Sequence, residues 1–163
     1  MKNRKSGDAG MKYDQAQVRI HEAYTVAIRD LGVHGEGIGS VDGFTVFVHG
    51  ALPGETVTAG ITLLKRSYAV GKLLSIEQES PFRTMPECPV YEHCGGCQLS
   101  HLTYEGQLDM KYRRVKDVIE RIAGESGDLV RPVLPAAHPF AYRNKIAVPA
   151  GLVKGKAALG CVR

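Results

Sequence analysis

The sequence predicts a mainly β chain that turns α/β toward its C-terminal end, and three observations predict it. About five short β-type segments, separated by glycine turns, fall within residues 22–80. Residues 81–102 hold three prolines, the Gly95-Gly96 pair and three clustered cysteines. One helical periodicity then runs from Thr103 to Gly124, ahead of a hairpin pattern.

The ends of the chain differ from its middle. Residues 1–21 lack periodicity and read as a flexible basic tail, with five Lys/Arg against two Asp/Glu. Residues 22–80 carry a net charge of −3, residues 81–124 balance, and residues 125–163 carry +4. If the protein meets nucleic acid, bulk charge comes from the tail and the C-terminal third. The segment between must act through a few placed cations and aromatics. The start is polar, no apolar run is long enough to span a bilayer, and a cytoplasmic protein without membrane partners is expected.

Within residues 22–80, Tyr24–Ile28 alternates as a strand should, and Phe44–Val48 is β-branched and aromatic. Gly32, Gly35, Gly37 and Gly39 crowd a loop with His34 between them. Val41-Asp-Gly43 and Leu52-Pro-Gly54 read as turns. Glu55–Leu64 and Tyr68–Ile76 read as strands joined by Lys65-Arg66-Ser67. Short strands with such turns in under about sixty residues fit a small closed barrel of the OB (oligonucleotide/oligosaccharide-binding) type. The glycines match no phosphate-cradling motif, so turn chemistry explains them.

Thr103 caps the expected helix and Gly124 stops it. Leu108, Tyr112, Val115, Ile119 and Ile122 share one face and are expected in the core, with Arg113, Arg114 and Lys116 on a solvated face. Beyond it, Val130–Pro135 and Tyr142–Pro149 lead to a hairpin turn at Lys154-Gly-Lys156, and the last segment ends inside an apparent strand. We expect a barrel over 22–80, a cysteine loop over 81–102, and a helix with an incomplete α/β domain over 103–163.

Cys88, Cys94 and Cys97 form a C-x5-C-x2-C pattern. A C-x2-C pair brings two thiolates to one centre from a tight turn, and glycine between them relieves crowding. Zinc wants four tetrahedral ligands; a 4Fe–4S cluster also wants four, typically three local and one remote. The count fits iron–sulfur better than a zinc ribbon, but spacing leaves both open. Cys161 is the only other cysteine, and His93 and His101 are nearby alternative donors.

The run from Cys88 through Cys97-Gln-Leu-Ser-His-Leu102, with Tyr104, Gln107-Leu108 and Lys111, resembles the bacterial RNA (uracil-5-)-methyltransferases. Gly35-Glu-Gly-Ile38, Phe47-Val48, Gly50–Glu55 and Lys65–Ala69 resemble the TRAM barrel of that family, and Tyr142-Arg-Asn-Lys145 the opening of its central domain. The resemblance covers roughly residues 20–163. It implies a parent enzyme that methylates carbon 5 of a uridine with S-adenosylmethionine, through a cysteine in a later domain. Barrel and cluster together imply 23S ribosomal RNA as substrate. It also implies three cluster ligands here, a fourth beyond Arg163, and Cys161 as a core thiol. The chain would then be an inactive, monomeric N-terminal part with a 4Fe–4S cluster. Lys65, Arg66 and Tyr68, with Arg143, Asn144 and Lys145, are the expected RNA contacts; Phe47 and His49 are weaker candidates. A stand-alone RNA-binding module with structural zinc is the alternative. A methylthiotransferase-like enzyme is disfavoured, because its cluster uses C-x3-C-x2-C.

Overall fold

The structure is a computed structural model, and it describes residues 18–145 and 147–160. Five strands form the barrel: β1 (Ala23–Leu31), β2 (Gly37–Val41), β3 (Phe44–His49), β4 (Thr56–Leu64) and β5 (Tyr68–Gln78). Their order is β1-β2-β3-β5-β4, and β4 pairs back onto β1, so no edge is left open. All pairings are antiparallel except β3 with β5. This is the expected OB-type barrel.

Alternation explains which residues fill it. Val26 and Ile28 of β1, Val46 and Val48 of β3, Val57, Ala59 and Ile61 of β4 and Ala69 of β5 all point inward and are buried. The residues between them face outward. The expected turns form at Asp42-Gly43 and at Gly54, all with positive φ.

One element departs from the sequence reading. Gly37 and Gly39, read as loop, lie in β2 and face the barrel interior. A Cβ on Gly39 would overlap the Val26 side chain and come within 2.6 Å of the Ala27 carbonyl oxygen. Gly39 makes room for β1, and Gly37 for Ala51 and Ile28.

Helix α1 (Tyr104–Val118) begins as expected. The Thr103 hydroxyl accepts from the Gly106 N–H at 3.2 Å. A π-helical turn, Ile119–Ala123, extends it to Gly124, whose φ of +71° ends the run. The expected core face is not in a core. Val115 and Ile122 are exposed, while Leu108, Tyr112 and Ile119 are half-buried. Gly106 is the buried residue of α1, close against Phe82 and Leu102. The helix therefore docks by its first turn, and the periodic stripe beyond that turn is at most half-covered among the described residues.

Residues 130–149 form no strand among those described. The hairpin does form, as β6 (Ala150–Val153) paired with β7 (Lys156–Leu159) around Lys154 and Gly155, both at positive φ. Of the expected tail over residues 1–21, residues 1–17 lie outside the described residues, as does Cys161. The last part is not a tail: Val18 is buried in the barrel core, and the His21 N–H donates to the Ile61 carbonyl at 2.9 Å, which fastens the segment to β4.

Candidate nucleic-acid interface

The outer surface of β2, β3 and β5 carries a line of large side chains. Ile38 pairs in register with Phe47, and Phe47 with Val70. The Phe47 ring meets the Tyr68 ring edge-on, with centroids 5.4 Å apart and planes at 89°. Phe47 is not swallowed by the core: its neighbours Val46 and Val48 take the inward positions. Lys65, Arg66 and Ser67 form the β4–β5 loop at one end of this face and are exposed. The Lys65 N–H donates to the Tyr68 carbonyl at 2.8 Å and closes that loop. Lys65, Arg66 and Tyr68 are thus brought together, with His49 exposed at the end of β3.

The β1–β2 loop flanks the face at its other end. The Gly32 N–H donates to the Glu36 carbonyl at 2.7 Å, and the His34 N–H to the Glu36 carboxylate at 3.1 Å. Gly35 sits at φ +85°, where a Cβ would lie 3.1 Å from Leu99 and 3.2 Å from Gln98. The loop that borders the face therefore rests on the cysteine segment.

That segment is fastened to the barrel by residues that spacing did not single out. The Glu55 side chain is fully buried, and its carboxylate takes both Nε and Nη2 of Arg83, at 2.5 and 2.8 Å. Arg83 also donates to the Gly50 carbonyl at 2.7 Å, and the Leu52 N–H donates to Glu55 at 2.8 Å. Burial alone would push the Glu55 carboxyl up; the Arg83 guanidinium and the Leu52 and Ser80 N–H groups outweigh it and hold the carboxyl below its usual range. Beside this pair, backbone bonds from Thr84 to His101 (2.9 Å) and Thr103 to Phe82 (2.8 Å) close the base of the cysteine loop.

His101 is buried inside that base. Its Nδ1 lies 2.5 Å from the Tyr91 hydroxyl, which also reaches the Gln98 carbonyl at 3.1 Å. Its Nε2 is buried without a hydrogen-bond partner among the described residues. Desolvation, with the nearby Arg83 charge, lowers its pKa to about 4, so the ring is neutral at pH 7. These contacts give His101 a structural role.

Cys88 and Cys97 are exposed and Cys94 is half-buried; all three are free thiols. The donor chemistry suits a thiolate-bound metal. The geometry does not yet do so, because the described residues contain no group of three such donors gathered closely enough to hold an ion. Hydrogen bonding to Tyr142 raises the pKa of Arg143. The Arg143 guanidinium lies 5.8 Å from the Tyr142 ring centre. Asn144 and Lys145 beside it are exposed. The six expected RNA contacts thus fall into two groups, one on the barrel and one in the segment that leads to the β6–β7 hairpin.

Residues 17–74 match the TRAM domain family. A protein of Bacillus cereus named as an uncharacterized RNA methyltransferase is 45% identical over 90% of this chain and 32% of its own length. One of Clostridium tetani with the same name is 43% identical over 88% of this chain and 31% of its own. Among solved structures, a conserved protein of Methanococcus maripaludis is 30% identical, covering 40% of this chain and all of its own, with a TM-score of 0.35. The chain spans about a third of the length of the curated relatives it matches. Among the described residues no helix is long and apolar enough to cross a membrane. The closed five-stranded barrel is the part of the chain that matches the TRAM domain family, and nine-tenths of the chain is similar to part of the bacterial proteins named as RNA methyltransferases.

Proposed function

We propose that this chain is the RNA-binding and iron–sulfur part of an S-adenosylmethionine-dependent 23S ribosomal RNA (uracil-5-)-methyltransferase, which forms 5-methyluridine. The observation that carries the RNA-binding part is the Phe47–Tyr68 pair on the outer face of the barrel, beside Lys65 and Arg66. Aromatic rings on an OB surface take unstacked bases, and cations at its border take phosphates. Single-stranded RNA satisfies both, whereas a paired helix hides its base faces.

The RNA methyltransferase names of the relatives support a methyltransferase parent. Carbon 5 of uracil and the ribosomal substrate rest on the resemblance of the Cys88–Leu102 segment and the barrel motifs. In this reading Cys88, Cys94 and Cys97 supply three cluster thiolates and a fourth donor comes from outside the described residues. A 4Fe–4S cluster there would tie the loop into one shape and so hold the β1–β2 loop that rests on Gln98 and Leu99. Thiolate addition to a pyrimidine needs no electron transfer, so a structural and RNA-positioning role is the one assigned.

The test uses a protein of the relatives' full length that carries this chain, purified without oxygen. With S-adenosylmethionine and 23S RNA it should form 5-methyluridine, and its visible spectrum should show thiolate-to-iron absorption. The 163-residue chain alone should form no product. A methyl group on another atom or RNA class would sink the substrate reading, and a colourless zinc-containing protein would replace the cluster with zinc.

A further inference from the structure

A groove of about 910 Å³ opens between the barrel and helix α1, and it begins where the proposed RNA face ends. Phe47 is shared by both. Its ring meets Tyr68 on the face and lines the groove with Leu31, Ile38, Phe82 and Met110. Tyr68, Phe47 and Ile38 stand on β5, β3 and β2, three adjacent strands. They make an apolar track across the face, with strands spaced about 4.8 Å apart, that runs into the groove.

The charges on the groove walls are unequal in kind. Asp109 is paired with Arg113 at 2.9 Å within α1, and Asp117 of α1 with Arg121 of the π-helical turn at 3.9 Å. The Asp30 carboxylate accepts the Leu31 N–H at 2.8 Å. All three acids lining the groove are therefore engaged. Arg29 on the barrel wall and Arg114 on the helix wall are exposed and have no acidic partner among the described residues. A cavity with an apolar floor and an uncommitted guanidinium on each wall suits a ligand that is flat, apolar on its faces and anionic along its backbone.

We propose that this groove takes unstacked bases of the same RNA strand that crosses the β2–β3–β5 face, with Arg29 and Arg114 meeting the phosphates on either side. The proposal rests on the RNA reading above and extends its footprint from the barrel surface to the helix. Arg114, which the sequence placed on a solvated face, becomes a contact. The exposed guanidinium groups position the backbone, and the apolar floor accepts bases without selecting among them.

The experiment is a binding titration of this chain with a uridine-rich single-stranded RNA of about twelve nucleotides, within the range an OB barrel covers. The RNA carries 4-thiouridine at successive positions, so photocrosslinks can be mapped. Crosslinks should appear at Phe82 or Met110 as well as at Phe47 or Tyr68. The Arg29→Ala/Arg114→Ala double variant should bind more weakly, and its slope of log affinity against log salt should be shallower by about 1.4, two phosphate contacts' worth. Crosslinks confined to Phe47 and Tyr68, with the double variant binding like the parent, would overturn the groove and leave the RNA reading standing. A groove blocked by protein shows the same result and counts equally against it. No RNA binding by the parent chain would overturn both.

Discussion

At the scale of single residues, the side chains that matter most for order are Glu55, Arg83 and His101. A buried carboxylate is tolerated because one guanidinium and two backbone N–H groups neutralise and satisfy it. Removing one partner leaves the other desolvated and alone. Glu55→Gln should therefore lower stability by about 3 kcal/mol, read from urea unfolding at pH 7. A loss within error would mean that the pair does not fasten the cysteine segment to the barrel.

The two groups also set the acid limb of stability, in separate windows. The folded His101 value, about 4, lies below its ordinary 6.5, so the unfolded chain takes up a proton first. Its contribution is whole above pH 6.5 and is lost as the pH falls from there to about 4. Glu55 is also depressed, so its contribution is present above its ordinary value of 4.5 and lost as the pH falls through the lower folded value. Unfolding midpoints should begin to drop near pH 6.5. In His101→Gln the decline should begin only in the carboxylate range. An unchanged slope between pH 6.5 and 4.5 in that variant would remove His101 as its source.

At the scale of elements, the barrel was largely legible and the reason is alternation. β1, β3, β4 and β5 were all visible because their inward residues are β-branched or small apolar, and Asp42-Gly43 and Pro53-Gly54 mark the two ends of β3. β2 was hidden. Propensity reads Gly37 and Gly39 as loop, but a closing barrel needs their missing side chains. Gly39→Ala should therefore cost about 3 kcal/mol, since the added Cβ would overlap Val26 and crowd the Ala27 carbonyl, a backbone atom. Gly151→Ala, also in a strand but with open space where the Cβ would go, should stay within about 0.5 kcal/mol. Equal thermal unfolding midpoints for the two variants would contradict this account of β2. Helix α1 shows the opposite failure. Its cap and stop were legible because they are local, whereas burial of its apolar stripe depends on what packs there, which periodicity does not contain.

At the scale of the whole molecule, the cysteine segment and the barrel behave as one support. Gly35 rests on Leu99, Arg83 clamps Glu55, and Tyr91 and His101 fill the base of the loop. The three cysteines were the plainest signal in the sequence, yet the contacts that connect them to the proposed RNA face were not visible there. Those contacts join residues up to 64 positions apart, Gly35 to Leu99, and no spacing rule reaches across that distance. The site on the barrel was half legible: Lys65, Arg66 and Tyr68 follow from a strand-loop-strand reading, while the outward turn of Phe47 needed the register of β3.

In the proposed function, the outer face of the barrel holds single-stranded RNA by stacking and by phosphate contact. The most direct measurement is fluorescence anisotropy of a labelled single-stranded RNA, titrated with the parent chain, Tyr68→Ala and Lys65→Ala/Arg66→Ala over a range of salt. Tyr68→Ala should lose about 1–3 kcal/mol of binding with the salt slope unchanged, since a stacked base is removed and no phosphate contact. Lys65→Ala/Arg66→Ala should flatten the slope by about 1.4. Parent-like affinity and slope in both variants would contradict the account.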